Sequence, residues 1–360
     1  IDQGDRICVS LENIPEFYVS ILGVIKIGAV IVPVNSEANE ATIKHRMLHT
    51  KAKILVTQPR KRSQLYSSIF EMFDLQHIIV VNRNNINMLP LDTADLDYDE
   101  EMDKASTDFS IAKTSQYDYY AIHYNTEING VVHTHLSIAQ HLTTGRWAFD
   151  ITEDDTIWSL DNPTTPYGIS CGILAPWVLG AKVLVRPKPK DINDHYAAIE
   201  KHRVSILHAP TDEILNMHTA GKGIVDDYNI KSLKHVSTIS ESIHSTVIER
   251  TTDMLNKPIF GSWLQPETGT VVTANSNHLG SIPGSIGRAV PGIKLATLDD
   301  KYHVKRPGIF GLFAIRPDWP SMFINYWDNS KLYKDKFRRG WYIRSRTAAI
   351  DDKGFVWLQD

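Results

Sequence analysis

Residues 29–34, Ala-Val-Ile-Val-Pro-Val, form an unbroken apolar run. Six such residues in a row cannot lie on a half-solvated surface; they read as a strand covered on both faces. Such strands belong to parallel sheets flanked by helices, and the neighbouring segments agree. Residues 5–11 alternate like a strand, and 14–28 place Phe17, Ile21, Val24, Ile25 and Gly28 along one side of a helix. A helix over 37–49, a strand over 53–57, a helix over 60–72 and a strand over 77–81 follow. Residues 83–116 are polar and acidic and read as a surface excursion. The pattern then resumes with strands at 119–124, 156–160, 182–186, 204–208 and 235–239, and helices at 136–147, 170–179 and 194–202. From about residue 270 Pro and Gly cluster, and short alternating runs at 293–298, 309–315 and 355–358 imply a small β-rich part. The expected class is α/β: two stacked αβα sheet subdomains, 1–116 and 117–268, and a β-barrel-like subdomain, 269–360.

Composition removes several alternatives. With 360 residues and 42% apolar content the chain can bury a sizeable core. Its 38 basic and 42 acidic residues leave a net charge of −4, without the basic excess that marks a nucleic-acid or anionic-membrane binder. The greasiest stretch, Phe17 to Val34, is broken by Ser20, Lys26 and Pro33, so no membrane span is expected. Cys8 and Cys171 make no disulfide framework and lack metal-ligand spacing, which fits a reducing, cytoplasmic setting. The opening Ile1-Asp2-Gln3 lacks Met and reads as a cut. No Gly-x-Gly-x-x-Gly follows the first strand, and no Gly-x-Ser-x-Gly elbow is present, so neither a nicotinamide dehydrogenase nor an elbow-type hydrolase is supported. His133 and His135, with His123 and His141, read as structural, since no Cys or carboxylate completes a ligand set.

The motif with most chemical content is 119–135, Tyr-Tyr-Ala-Ile-His-Tyr-Asn-Thr-Glu-Ile-Asn-Gly-Val-Val-His-Thr-His: a strand ending at Tyr124, a polar loop, Gly130 as the expected turn residue, and a helix after His135. Further on come 171–181 (CGILAPWVLGA), 206–211 (ILHAPT), 232–236 (SLKHV), 263–269 (WLQPETG), 280–292 (GSIPGSIGRAVPG), 319–327 (WPSMFINYW) and 340–352 (GWYIRSRTAAIDD). In order and spacing these resemble the AMP-forming acyl-CoA synthetases, the adenylate-forming superfamily. The subfamily most resembled is the bacterial acetyl-CoA synthetases, through Trp319-Pro320-Ser321-Met322 and Ile173-Leu174-Ala175-Pro176-Trp177. The resemblance implies a ligase that uses ATP, Mg²⁺ and coenzyme A. A small-molecule carboxylate attacks the α-phosphate to give acyl-AMP and pyrophosphate, and the coenzyme A thiolate then displaces AMP.

The same resemblance implies site residues. Thr126 and Gly130 fall in the phosphate loop; Ser240, Glu241 and Ser242 align with an element beside adenine; Gly261, Ser262, Trp263, Gln265 and Pro266 form the strip along AMP. Glu267 is the implied catalytic carboxylate and Mg²⁺ ligand, and Arg346 stands at the ribose-binding aspartate. Thr165, Tyr167, Gly168 and Leu264 line the implied acyl pocket, and Leu264, in place of a tryptophan, would enlarge it. Several substitutions argue for weak or lost activity. The loop from Asn125 to Asn129 has five residues where the family has nine, and Thr114 to Gly145 contains no Lys or Arg. Each missing charge-assisted bond to a triphosphate costs about 1.5–3 kcal/mol. Pro266 removes a hydroxyl, and the Arg346 guanidinium cannot accept from a ribose diol. The family's small C-terminal lysine domain is expected to be absent. The alternative expectation is a non-catalytic descendant that binds a nucleotide, an acyl ligand or a protein partner.

Overall fold

The computed structural model describes residues 1–83, 95–239 and 244–359, the side chain of Ser345 excepted. The chain divides into two compact units, Ile1–His135 and Leu136–Asp360.

In the first unit the strands are β1 (Arg6–Ser10), β2 (Val30–Pro33), β3 (Ile54–Thr57), β4 (His77–Val80), β5 (Asp95–Asp97), β6 (Tyr119–Tyr124) and β7 (Gly130–Thr134). They lie side by side in the order β7-β6-β2-β1-β3-β4-β5. All pairings are parallel except β6 with β7. The apolar run at 29–34 forms β2, with all four strand residues buried. The helix Pro15–Lys26 starts on a proline, whose fixed φ suits a first turn, and buries Phe17, Tyr18, Ile21 and Val24. Asn39 caps the next helix, Glu40–Thr50, by accepting from the Thr42 N–H at 2.9 Å. Cys8 and Cys171 are both free thiols, and burial pushes Cys8 up to about 12, so it stays protonated and inert.

Three expectations change here. The helix over 60–72 shortens to Pro59–Gln64 followed by a 3-10 turn at Ile69–Glu71. The excursion 83–116 contains β5 and the helix Tyr98–Lys104, capped by the Asp97 carboxylate. Strands 119–124 and 130–134 pair into the first sheet through Ile31 opposite Ala121, so the first unit extends past 116 to His135.

In the second unit the parallel strands β8 (Thr156–Ser159), β9 (Lys182–Val183), β10 (Ile206–His208), β11 (His235–Ile239) and β12 (Ile259–Trp263) are joined by antiparallel β13 (Thr273–Ala274) and β14 (Arg288–Ala289). Their order is β14-β13-β12-β11-β10-β8-β9. Trp158, Tyr196, Ile199, Leu207, Met217 and Val236 centre the core packed against this sheet. A separate small antiparallel sheet follows, built from Leu295–Leu298, Gly311–Ile315, Phe337–Arg338, Trp341–Ile350 and Val356–Leu358. Strands β13 and β14 thus belong to the larger sheet, and the β-rich part begins near Leu295 instead of 269. The helix expected over 170–179 forms as Pro166–Ile169, a π turn at Ser170–Leu174, and Ala175–Val178. Among the described residues no helix is long and apolar enough to cross a membrane.

Candidate nucleotide and acyl site

The implied site residues fall on both units. In the first, the loop between β6 and β7 is closed on itself by one side chain. Asn125 Oδ1 accepts from the Glu127 N–H at 3.1 Å and the Asn129 N–H at 3.0 Å. The Ile128 N–H donates to Asn125 O at 3.1 Å, and the Asn125 N–H to Asn129 O at 3.1 Å. Four of the five loop donors therefore point inward, Thr126 being the exception among the described bonds. A phosphate nest needs those N–H groups to converge on the anion. Gly130 is not the turn residue expected from sequence. It opens β7 opposite Tyr124, and the left-handed backbone falls on Ile128, with φ of 63°. A β-branched residue at positive φ is strained, and here the Asn125 bonds hold it.

In the second unit, β12 carries the strip. Gly261 O accepts from the Asn275 N–H at 2.8 Å, and Ser262 Oγ donates to Thr238 O at 3.2 Å. Trp263 is 1% exposed; the Phe313 ring lies 5.4 Å away and the Arg344 guanidinium 4.7 Å above it. Gln265 and Pro266 are partly buried, and Leu264 is buried. Pro266 opens a short 3-10 turn, Pro266–Thr268, in which the Thr268 hydroxyl accepts from the Gln265 N–H at 2.9 Å. Glu267 is 5% exposed, and its Oε1 accepts from the Tyr326 hydroxyl at 3.0 Å.

Arg346 is exposed, in a stretch where the strand pairing slips. Leu312 opposes Thr347 but Ala314 opposes Ile343, so residues 344–346 bulge against Phe313. The arginine that reaches the strip is Arg344, which sequence reasoning passed over. Its signal was present: it stands two residues before Arg346 in a strand that alternates. Tyr326 was also missed, although it lies in the quoted Trp319–Trp327 motif. Ser240, Glu241 and Ser242 lie outside the described residues.

On the implied acyl side, Thr165 serves the backbone. Its hydroxyl donates to Asn162 O and accepts from the Gly168 N–H, both at 2.9 Å. The Tyr167 hydroxyl donates to Ser262 O at 2.7 Å. Gly168 is required by close approach: a Cβ there would meet Asn162 O at 2.1 Å and Pro163 Cα at 2.8 Å. Gly168→Ala should lower stability by about 1–3 kcal/mol. An unchanged urea midpoint would show that the 162–168 turn yields freely.

A Mg²⁺ ion carried on a nucleotide needs one or two carboxylates plus phosphate oxygens. Glu267 offers one carboxylate, already bonded to Tyr326, and the 125–129 loop has turned its donors inward. Neither Glu267 in the second unit nor the loop in the first, each taken by itself, fits a bound Mg²⁺–triphosphate, and no step below is routed through one. Among the described residues no group of three His, Cys, Asp or Glu could hold a metal.

Comparisons with known proteins show the family and the fold. Residues 1–327 match the model of the AMP-binding enzyme family. The chain belongs to that family. The acetyl-coenzyme A synthetase of Bacillus subtilis is 30% identical over 364 residues, covering 100% of this chain and 63% of that protein. The crystal structure of a Brucella canis acyl-CoA synthetase superposes with a TM-score of 0.90 at 23% identity, over 100% of this chain and 65% of that one. The anthranilate CoA ligase AuaEII, solved with anthranoyl-AMP, gives 0.89 at 18%, over 99% of this chain and 67% of that one. These structures speak to the fold, which is the mixed α/β N-terminal domain of adenylate-forming enzymes. The chain spans less than two thirds of the length of the Bacillus relative.

Proposed function

We propose that this chain is the adenylate-handling part of an AMP-forming acid–thiol ligase for acetate or another short carboxylic acid, with a weak or lost ATP half-reaction. Family membership and the likeness to acetyl- and acyl-coenzyme A synthetases support the ligase class. The reaction class would join a carboxylate to AMP with loss of pyrophosphate, then pass the acyl group to coenzyme A. Charge builds on phosphate oxygens in both steps, so rate depends on donors fixed in advance around them.

One observation carries the claim of weakness: the Asn125 side chain and the loop carbonyls hold four of the loop's five N–H groups. Opening that loop for a β- or γ-phosphate would break these bonds without a cation from Thr114–Gly145 to compensate. The strip keeps features that suit a monophosphate. Arg344, whose guanidinium lies over the buried Trp263 ring, supplies a positive charge beside the strip. The same loop favours a second reading, a non-catalytic protein that binds AMP or an acyl ligand.

Pyrophosphate exchange into ATP, driven by acetate or propionate, tests the first half-reaction. Exchange should stay near background, and calorimetry should give heat with AMP at least equal to that with ATP. Robust exchange would overturn the weak half-reaction. Absence of heat with either nucleotide would overturn the nucleotide reading altogether.

A further inference from the structure

Three side chains that the nucleotide reading does not use form a connected row in the second unit. His208 ends β10, and its register partner on β11 is Ser237. Its partner on the other side, on β8, is Ser159, and Asp161 follows two residues later. His208 Nε2 lies 2.7 Å from Asp161 Oδ2, and His208 Nδ1 lies 2.8 Å from Ser237 Oγ. An ionised carboxylate can only accept, so it fixes the imidazole proton on Nε2 and leaves Nδ1 to accept from the Ser237 hydroxyl. Nucleophile, base and orienting carboxylate then stand within hydrogen-bond reach in sequence, with the two imidazole nitrogens exchanged relative to the serine-protease triad, where Nε2 faces the serine. The row sits toward the carboxyl ends of parallel strands, where open α/β sheets bind ligands. His208 and Ser237 are 1% and 2% exposed, and the Tyr167 ring stacks on the imidazole at 5.3 Å and 9°.

We propose that Ser237, His208 and Asp161 form an acyl-accepting serine site beneath a Tyr167 cover, reactive toward activated acyl donors such as aryl esters and acyl phosphates. Ser237 Oγ attacks the donor's carbonyl carbon and the Oγ–C bond forms. The bond from that carbon to the leaving oxygen breaks, and the hydroxyl proton passes through His208 Nδ1 to the leaving group. The products are an acyl-serine and the free alcohol or phosphate. The site needs no nucleotide and stands independently of the ligase reading. No acyl ester reaches Ser237 while the ring lies flat on His208, so the tyrosine must swing away.

The test treats the whole chain with p-nitrophenyl acetate and maps acetyl groups by peptide mass spectrometry. Acetyl should appear on Ser237, and Tyr167→Ala should acquire it faster. Ser237→Ala, close in volume, should lose that label while keeping its unfolding midpoint. His208→Gln should slow acetylation at Ser237 by roughly a hundredfold or more, the ordinary worth of a positioned base. Asp161→Asn gives the same reading if His208→Gln fails to fold. Acetyl on lysines alone, in both the wild type and Tyr167→Ala, overturns the proposal. So does acetylation of Ser237 at an undiminished rate in His208→Gln and Asp161→Asn.

Discussion

Stability of the second unit should fall steeply as pH drops from 6.5 toward 4. His195 and His235 are each 1% exposed, and burial pulls each from the usual 6.5 down to about 4. Around His195 the Glu213 and Asp194 carboxylates pull the other way, while Arg186 adds to the depression; the Trp158 ring lies 5.2 Å away. Around His235, Asp150 and Asp155 oppose burial and Lys234 reinforces it; the Phe260 ring lies 5.3 Å away. Between the two pH values the unfolded chain protonates both imidazoles and the folded chain neither. Stability therefore rises with pH across this window and is flat above it with respect to these groups. Each histidine contributes a slope of about 1.4 kcal/mol per pH unit. Asp155 acts lower: burial opposes its ionisation, but Lys234, Ser205 and Thr152 hold it below its usual 3.8. Its contribution is present above that value and is lost only in stronger acid. Urea titrations from pH 7 to 4 should show the loss, and His195→Phe should remove about half of the slope. A flat profile down to pH 5 would contradict the burial argument.

The second large effect belongs to the first unit. Arg62 Nε reaches Asp95 Oδ1 and Oδ2 at 2.8 and 2.9 Å, and its Nη2 reaches Oδ2 at 2.8 Å. The two side chains are 9% and 1% exposed, so neither charge has water to fall back on. The pair fastens β5, at the sheet edge, to the helix Pro59–Gln64. Arg62→Ala should cost about 3–5 kcal/mol, because a buried carboxylate is left without its cation. Replacing both partners with apolar residues of similar volume, Arg62→Met with Asp95→Leu, should restore most of that loss. A single-variant loss below about 1 kcal/mol would mean that water enters when the arginine leaves.

Buried strands were the most legible part of the sequence. Residues 29–34 and 119–124 declare themselves by apolar and aromatic content and length, and 235–239 by its β-branched Val, Thr and Ile; the structure forms strands at Val30–Pro33, Tyr119–Tyr124 and His235–Ile239. The helix Tyr98–Lys104 was hidden by composition, although Asp97 and the acidic first turn are ordinary helix-start chemistry. The hairpin after Tyr124 was misplaced because glycine is the usual carrier of positive φ. Here an asparagine side chain forces that geometry on Ile128, and no residue-by-residue preference foretells it. The Asp161–His208–Ser237 row was invisible for another reason. Its members are dozens of residues apart, and only strand register brings them level.

The way the 125–129 segment is tied has a consequence for any attempt to build a phosphate cradle there. Its ends are pinned by Tyr124 opposite Gly130, so the span between them is fixed by the ladder. Planting a lysine there would add charge but leave the backbone facing inward. Extra chain length would let the amides turn outward, so such a cradle calls for insertion and not for exchange of single residues.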